Sequence, residues 1–546
     1  MRRDLDRLTA RPFDVLVVGG GVYGLTIAYD AAQRGLAVAL IERDDFGSGA
    51  SFNHLRTIHG GLRYLQSFDL RRSRESMRER RAVARIAPHL VQPLPFALPL
   101  YRSVMRGKLA MRGGFLIDRF VAAGRNRGVP APLRLPAGRV VSRTSAIERF
   151  PGLRRQGLTG AAVFYDYVTT ESDRLTFSYA LAAVEHGATM ANHVEAIEPI
   201  VEGKRVSGVR ARDVTGERML EIGARVVVNA TGSAVDVLLK PLGLGSGVPM
   251  LKAMNLVTRR EAGDEALGGR ARSGRNLFLV PWRRRALFGT WESSRVCALG
   301  DTAVDPADVD AFIGELNEAF PALDLTLDDV TLVHRGVVPA RLTNGRVALE
   351  GREQIRDHAA QGIDGLVTVA GTKYTTARAT AERVADLIMT KLRRPPVACK
   401  TASTALPGGS LRDVMLAVAE ARRDHDTGLP SDTIPHLVAA YGSRYRDVLD
   451  VAREQPQWRT RIAPDSPVIG AELVWAARQE MAVTLADAVV RRTPLGALGC
   501  PPAEALARAA GIVGDERHWS EDRRRQEIAA VSRVLAVPRP TAPGTR

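Results

Sequence analysis

Phe13-Asp14-Val15-Leu16-Val17-Val18-Gly19-Gly20-Gly21-Val22-Tyr23-Gly24 is the stretch on which the fold turns. Its first half is apolar and β-branched, suited to a strand buried on both faces. Gly19, Gly21 and Gly24 then make G-x-G-x-x-G, and Leu25 to Ala32 is a helix-forming run. A second strand, Ala37 to Ile41, ends in Glu42. In such a unit Gly19 permits the tight turn, Gly21 lets a pyrophosphate approach the backbone, and Gly24 lets helix and strand pack closely. The helix N-terminus offers unpaired N–H groups and a partial positive charge to phosphates. Glu42 is placed to accept hydrogen bonds from a ribose. A lone glycine motif is weak, but here strand, helix, second strand and terminal acid all fall in place, and the unit predicts dinucleotide binding. The glycine cluster from Gly243 to Gly247 has no strand before it and reads as a loop.

Two later segments choose between dinucleotides. Arg225 to Asn229 is a buried strand running into the small-residue turn Ala230-Thr231-Gly232. Gly365 to Ala370 is another strand, followed by Gly371-Thr372-Lys373 and a helix from about Tyr374 to Lys391. That second helix N-terminus can face the anionic end of a reduced flavin. Strands near both ends of a long domain returning to one cofactor predict FAD, ordinary sheet strands being the alternative. No second G-x-G-x-x-G unit is present for a nicotinamide, so the flavin is expected to be reduced by substrate directly.

The 546 residues exceed one ordinary core, and two or three domains are expected. Hydrophobic residues make up 45% of the chain and the net charge is +17, yet only 7 of the 77 basic residues are lysine. That skew fits compositional bias as well as an anionic partner. No basic stripe or nucleic-acid module is visible, so nucleic acid is not expected as a partner. A basic surface suits anionic headgroups or an anionic substrate. Cys297, Cys399 and Cys500 show no metal-ligand spacing and no disulfide framework, so no metal is expected and a reducing cytoplasm fits. No signal peptide and no spanning run of about eighteen apolar residues is found. Peripheral attachment at the inner face of the membrane stays open.

After Glu42 come Gly47-Ser48-Gly49-Ala50-Ser51 and Ile58-His59-Gly60-Gly61-Leu62-Arg63-Tyr64-Leu65. The second string closely resembles the signature of FAD-dependent glycerol-3-phosphate dehydrogenases and oxidases. Ala87 to Val91, Asn229 to Gly232, Val280-Pro281-Trp282, Gly371 to Arg378, Tyr441 to Arg444, Glu480-Met481-Ala482 and Leu485 to Thr493 follow in family order. The resemblance implies a cofactor set of Gly19, Gly21, Gly24, Glu42, Ser48, Ser51, His59, Gly60, Val194, Ala230, Thr231, Gly232, Gly371, Thr372, Lys373, Tyr374 and Thr375. It places Arg63, Tyr64 and Lys373 beside a small dianionic substrate, where charge-assisted donors are needed.

Departures from the family pattern concentrate in the substrate pocket. The family's G-V-R-P, whose arginine binds the substrate phosphate, is Gly336-Val337-Val338-Pro339 here. Arg335 and Arg341 flank the gap, and Arg352 roughly matches another family arginine. Arg56 stands for the family's lysine, and Gly289-Thr290-Trp291-Glu292 replaces G-T-T-D. The expected chemistry is oxidation of glycerol 3-phosphate, by hydride transfer to the flavin. A different alcohol or amine, or a non-catalytic flavin protein, is the alternative. His59 is the candidate base, since an imidazole titrates near working pH; fixing its loop against the flavin is the other reading. Lys373 and Arg63 would stabilise the alkoxide.

The fold expected is α/β: a Rossmann-like FAD-binding domain with an inserted β-rich substrate domain, plus an all-helical C-terminal domain. The oxidoreductase domain is placed at 1–395, with FAD-binding parts at about 10–84, 151–240 and 341–395. Its substrate-binding parts are placed at about 85–150 and 241–340. A linker at 396–412, the helical domain at 413–537 and a disordered tail at 538–546 follow. The family implies a quinone or dioxygen as acceptor. Residues 101–121 alternate basic and apolar side chains, as an interfacial segment would; packing on its own domain is the alternative. The oligomeric state is left open, a homodimer included.

Overall fold

The computed structural model describes residues 1–61, 69–102, 107–121, 124–150, 152–411, 413–424 and 428–539. Phe13–Val18 lies inside an eight-stranded sheet, parallel to Val38–Ile41 on one side and to Met219–Asn229 on the other. Thr189–Ala191 and Leu366–Ala370 extend the parallel set, and Gln354–Asp357 closes one edge antiparallel. Successive side chains of a strand face opposite ways. Val15 and Val17 therefore enter one core with Leu25, Phe177 and Val384, and Leu16 and Val18 enter another with Val209, Leu220 and Ile222. Burial on both faces is why this run is continuously apolar.

Helices Val22–Gln33, Ser172–Glu185 and Ala377–Lys391 cover the first face. The last begins three residues later than the sequence predicts, because Tyr374 to Thr376 form a turn whose tyrosine is held by Thr176. A meander of Val194–Glu202, Arg205–Asp213 and Met219–Asn229 supplies the apolar side chains of the second face.

A second sheet of ten strands carries the β-rich part. Met250–Glu261 lies between Arg285–Cys297 and Val330–Thr343. Leu158–Thr169 also belongs to this sheet, antiparallel to Val91–Tyr101 from Thr169↔Val91 to Leu158↔Tyr101. The sheet continues through Arg346–Leu349, which pairs with the end of Val330–Thr343. These two strands fall within stretches that the sequence division gives to the cofactor part. Long-range antiparallel pairing with Val91–Tyr101 decides the place of the first, and a tight hairpin with Val330–Thr343 decides that of the second.

The C-terminal part is helical, from Val414–Asp424 to Glu521–Leu535. Leu473, Leu506, Val513 and Val531 share one core with Leu94, Phe96, Val257 and Leu287 of the second sheet. The 396–412 stretch carries no helix or strand among its described residues, but it is tied down: Leu406 is buried and its N–H reaches the Ile86 carbonyl at 2.8 Å. Of the tail from Pro538, residues 540–546 lie outside the described residues.

Buried polar contacts join the helical part to the loops and a helix of the first sheet's layer. Arg492, fully buried, grips Asp45 with two bonds of 2.5 and 2.8 Å and stacks on Phe177. Arg174 grips Glu480 likewise, and Asn192 donates to the Met481 carbonyl. His193 Nε2 lies 2.9 Å from Asp487. Burial opposes a charge on His193, yet Asp487 outweighs it and lifts the imidazole pKa above 6.5. A group whose pKa is raised by folding gives stability that is whole below its unfolded pKa and is lost as pH rises through the folded one. Tm is therefore expected to decline as pH rises above about 6.5, with His193→Gln flattening that limb. An identical alkaline slope in the variant would show that the contact adds nothing.

Candidate cofactor and substrate site

The two sheets and the helical part enclose a cavity of about 1820 Å³. That exceeds the roughly 300–1,000 Å³ of a small-molecule site, leaving room for a dinucleotide and a substrate together. At one end is the glycine turn. Gly19 has φ +108°, and a Cβ there would lie 2.5 Å from the Ala230 carbonyl oxygen. A Cβ on Gly24 would lie 1.9 Å from the Gly19 carbonyl oxygen, so Gly24 packs helix on strand behind the cavity and does not line it. Gly21 is the cap residue of Val22–Gln33 and supplies no side-chain cap.

Around this turn the predicted residues converge. Ser51 Oγ accepts the Val22 N–H at 2.9 Å, which leaves its O–H free to donate onward to a phosphate. Glu42 accepts from the N–H groups of Gly20 at 2.5 Å and Asp44 at 2.8 Å, and burial raises its pKa. Each of its oxygens keeps a second lone pair for a ribose hydroxyl. Ser48, Val194, Ala230, Thr231 and Gly232 also line the cavity. Asn229 shapes that last turn, accepting from the Thr231 hydroxyl at 2.7 Å and donating to the Val235 carbonyl.

At the other end the 53–61 and 371–376 segments meet. His59 N–H donates to Thr375 Oγ1 at 3.2 Å, Tyr23 O–H donates to the Lys373 carbonyl at 3.0 Å, and His54 stacks on Tyr374 at 4.2 Å. Gly371 through Thr375 line the wall, and a Cβ on Gly371 would lie 2.3 Å from the Tyr23 hydroxyl and push that ring aside. The His59 side chain is half exposed, with Nε2 2.7 Å from Thr57 Oγ1 and Nδ1 3.4 Å from Asp166 Oδ2. Asp166 also accepts the Gly60 N–H at 2.6 Å and pairs with Arg80. Burial alone would raise its pKa, but Arg80 and His59 reverse that and hold it low, so the carboxylate stays ionised. Gly60 sits behind the wall: a Cβ there would meet the Arg80 guanidinium at 2.1 Å.

Several expectations land elsewhere. Arg63 and Tyr64 lie outside the described residues. Arg352 is exposed in the turn between two strands, its N–H bonded to Glu350, and does not line the cavity. Arg341 is exposed too. Arg335 and Val338 both border the cavity, because the edge of Val330–Thr343 from 335 to 339 runs along it. Arg335 N–H donates to Asn53 Oδ1 at 3.0 Å there. Arg56 is fully buried behind the wall, its guanidinium between the rings of Phe52 at 4.9 Å and Trp282 at 4.6 Å. Asp166 and His54 are contributors that the sequence reading missed. Asp166 sits in an ordinary strand pattern, so no local signal marks it.

This geometry defines a dinucleotide-binding oxidoreductase, and the groups present fit FAD: an open helix N-terminus, a buried acid after the second strand and a second end rich in N–H and hydroxyl groups. The family described as FAD dependent oxidoreductase matches residues 14–387, and the C-terminal domain of alpha-glycerophosphate oxidase matches 399–524. The glycerol-3-phosphate dehydrogenase of Synechocystis sp. is 31% identical over 96% of this chain and 97% of its own. Glycerol-3-phosphate dehydrogenase 2 of Mycobacterium tuberculosis is 34% identical over 89% of this chain and 81% of its own. The solved glycerol-3-phosphate dehydrogenase of Bacillus halodurans, complexed with FAD, superposes with a TM-score of 0.74 at 24% identity, covering 97% of this chain and 96% of that one. The chain therefore belongs to the FAD-dependent glycerol-3-phosphate dehydrogenase family.

Gly19→Ala should purify with far less flavin absorbance per protein, since the new Cβ collides with Ala230. Full flavin content in that variant would remove the turn from cofactor binding.

Proposed function

We propose that the protein oxidises sn-glycerol 3-phosphate to dihydroxyacetone phosphate. The placement of His59 carries the chemistry: an imidazole opening into the cavity, with Thr57 on one nitrogen and the ionised Asp166 facing the other. The substrate rests on the relatives, which bear the name glycerol-3-phosphate dehydrogenase. FAD, when bound, supplies the acceptor for the carbinol hydride. His59 takes the hydroxyl proton at Nε2, the substrate hydroxyl replacing Thr57 there, and Asp166 steadies the imidazolium. Lys373 stabilises the developing alkoxide, and Arg335 draws in the phosphate dianion.

His59→Asn should slow anaerobic flavin reduction by about 10²–10⁴-fold, measured per flavin bound. Unslowed reduction would remove His59 as the base. One observation favours a second reading: Val338 in the cavity wall, where the family's phosphate-binding arginine would stand. Anaerobic bleaching by glycerol 3-phosphate, by free polyols and by amino acids decides between them. Bleaching by an unphosphorylated alcohol or an amine, and not by glycerol 3-phosphate, would establish the second reading.

Electrons then pass to a quinone or to dioxygen, with the enzyme placed in the cytoplasm at the membrane's inner face. Among the described residues no helix is long and apolar enough to cross a membrane. Helix Lys108–Val121 buries Met111 and Phe115 while exposing Leu109 (82%), Leu116 (57%) and Ile117 (39%). An exposed apolar face beside Lys108 and Arg112 suits an anionic bilayer surface. Leu109→Glu with Leu116→Glu should abolish cosedimentation with anionic liposomes, and retained binding would place the contact elsewhere.

A further inference from the structure

Leu485 to Thr493 is a run that the catalytic chemistry does not use. Within it Asp487–Arg492 forms a π-helical turn, a geometry often found at functional sites. The turn is locked from both ends. Asp487 accepts the N–H groups of Val483 and Thr484 and pairs with His193, and Arg492 is held by Asp45 and by the Glu480 carbonyl at 2.8 Å.

Between these anchors Arg491 points the other way, into the cofactor cavity. Its guanidinium lies over the Phe52 ring at 4.1 Å, and Nη2 reaches the Ser48 carbonyl at 3.5 Å. Nη1 is buried and has no hydrogen-bond partner among the described residues. The acids nearest in charge are already engaged: Asp45 by Arg492, Asp487 by His193, and Asp173 at 3.4 Å from Arg56. A buried guanidinium donor without an acceptor is costly, and burial lowers the pKa of Arg491 accordingly. An anion in the cavity that Arg491 lines would meet this guanidinium.

The Ser48–Phe52 loop indicates which anion. Ser51 of the same loop caps Val22, at the helix N-terminus where a dinucleotide pyrophosphate sits. We infer that Arg491 binds a phosphate oxygen in this cavity, that of the cofactor's pyrophosphate, so that the C-terminal helical part supplies a direct anchor for FAD. Retention of the cofactor then depends on docking of that part through Arg492 and Asp487. Guanidinium suits the task because its fork can hold a phosphate while its face rests on Phe52.

The test is FAD release from diluted holoenzyme, followed by flavin fluorescence, beside Tm of holo and FAD-stripped protein and KM for glycerol 3-phosphate. Arg491→Gln should raise the FAD dissociation constant by about 10- to 100-fold, the loss of one charge-assisted bond. It should lower the holo Tm and leave the stripped protein's Tm and the substrate KM unchanged. Arg491→Lys, which keeps the charge and loses the fork, should fall between. A raised KM with unchanged FAD affinity would assign the bound phosphate to the substrate and overturn the cofactor anchor. Equal lowering of both Tm values would reduce Arg491 to an interface contact, and unchanged FAD affinity and KM would refute phosphate binding. If Arg491→Gln does not fold, Arg491→Lys carries the test, and parental FAD affinity there overturns the inference.

Discussion

The closest approach in the molecule's nucleotide end is that of Gly24 to the Gly19 carbonyl, where a single methyl group would sit 1.9 Å from oxygen. This contact lets Val22–Gln33 lie directly against the Phe13–Val18 strand, and it aims the helix N-terminus into the cavity. Everything else at that end is arranged around it. Ala230 closes over Gly19, Glu42 ties down Gly20, and Ser51 meets Val22 from the far side. A larger residue at Gly24 would separate helix from strand and turn the N–H groups away from a phosphate, and one at Gly19 would collide with Ala230.

The rest of the architecture brings two further layers to that fixed point. The second sheet contributes Asp166, which holds the loop of His59 through the Gly60 N–H, and the edge of Val330–Thr343, which carries Arg335 and Val338 along the wall. The helical part is keyed to the first sheet's layer by Arg492 on the Asp45 loop and by Arg174 of helix Ser172–Glu185 on Glu480, each pair with a buried carboxylate. Such pairs add less to stability than their charge suggests, because both partners lose water, but breaking one strands a buried charge. They therefore fix position, and the position they fix puts Arg491 against the Ser48–Phe52 loop.

The cofactor end was legible because its signals are local. Strand, glycine turn, helix and terminal acid are consecutive, and most of the predicted cofactor residues line the cavity together. The substrate end was less so. Arg352 was assigned by correspondence, yet a turn carries it out to solvent. Arg56 follows the loop of Ser51 in sequence, but a positive φ and the rings of Phe52 and Trp282 take it behind the wall. Asp166 gave no signal, since a carboxylate within an apolar strand acquires meaning only from the Arg80 and His59 that approach from elsewhere.

By itself the sequence determined that the chain binds a dinucleotide, that FAD is the dinucleotide, and to which family the chain belongs. Those properties rest on backbone conformations that neighbouring residues dictate and on motifs that survive in order. Only the tertiary structure decided which charges share a cavity. His59 with Asp166 and Arg491 with Ser48 are pairs separated by more than a hundred residues. Electrostatic and hydrogen-bond energies depend on distance and burial, and neither is set by position along the chain.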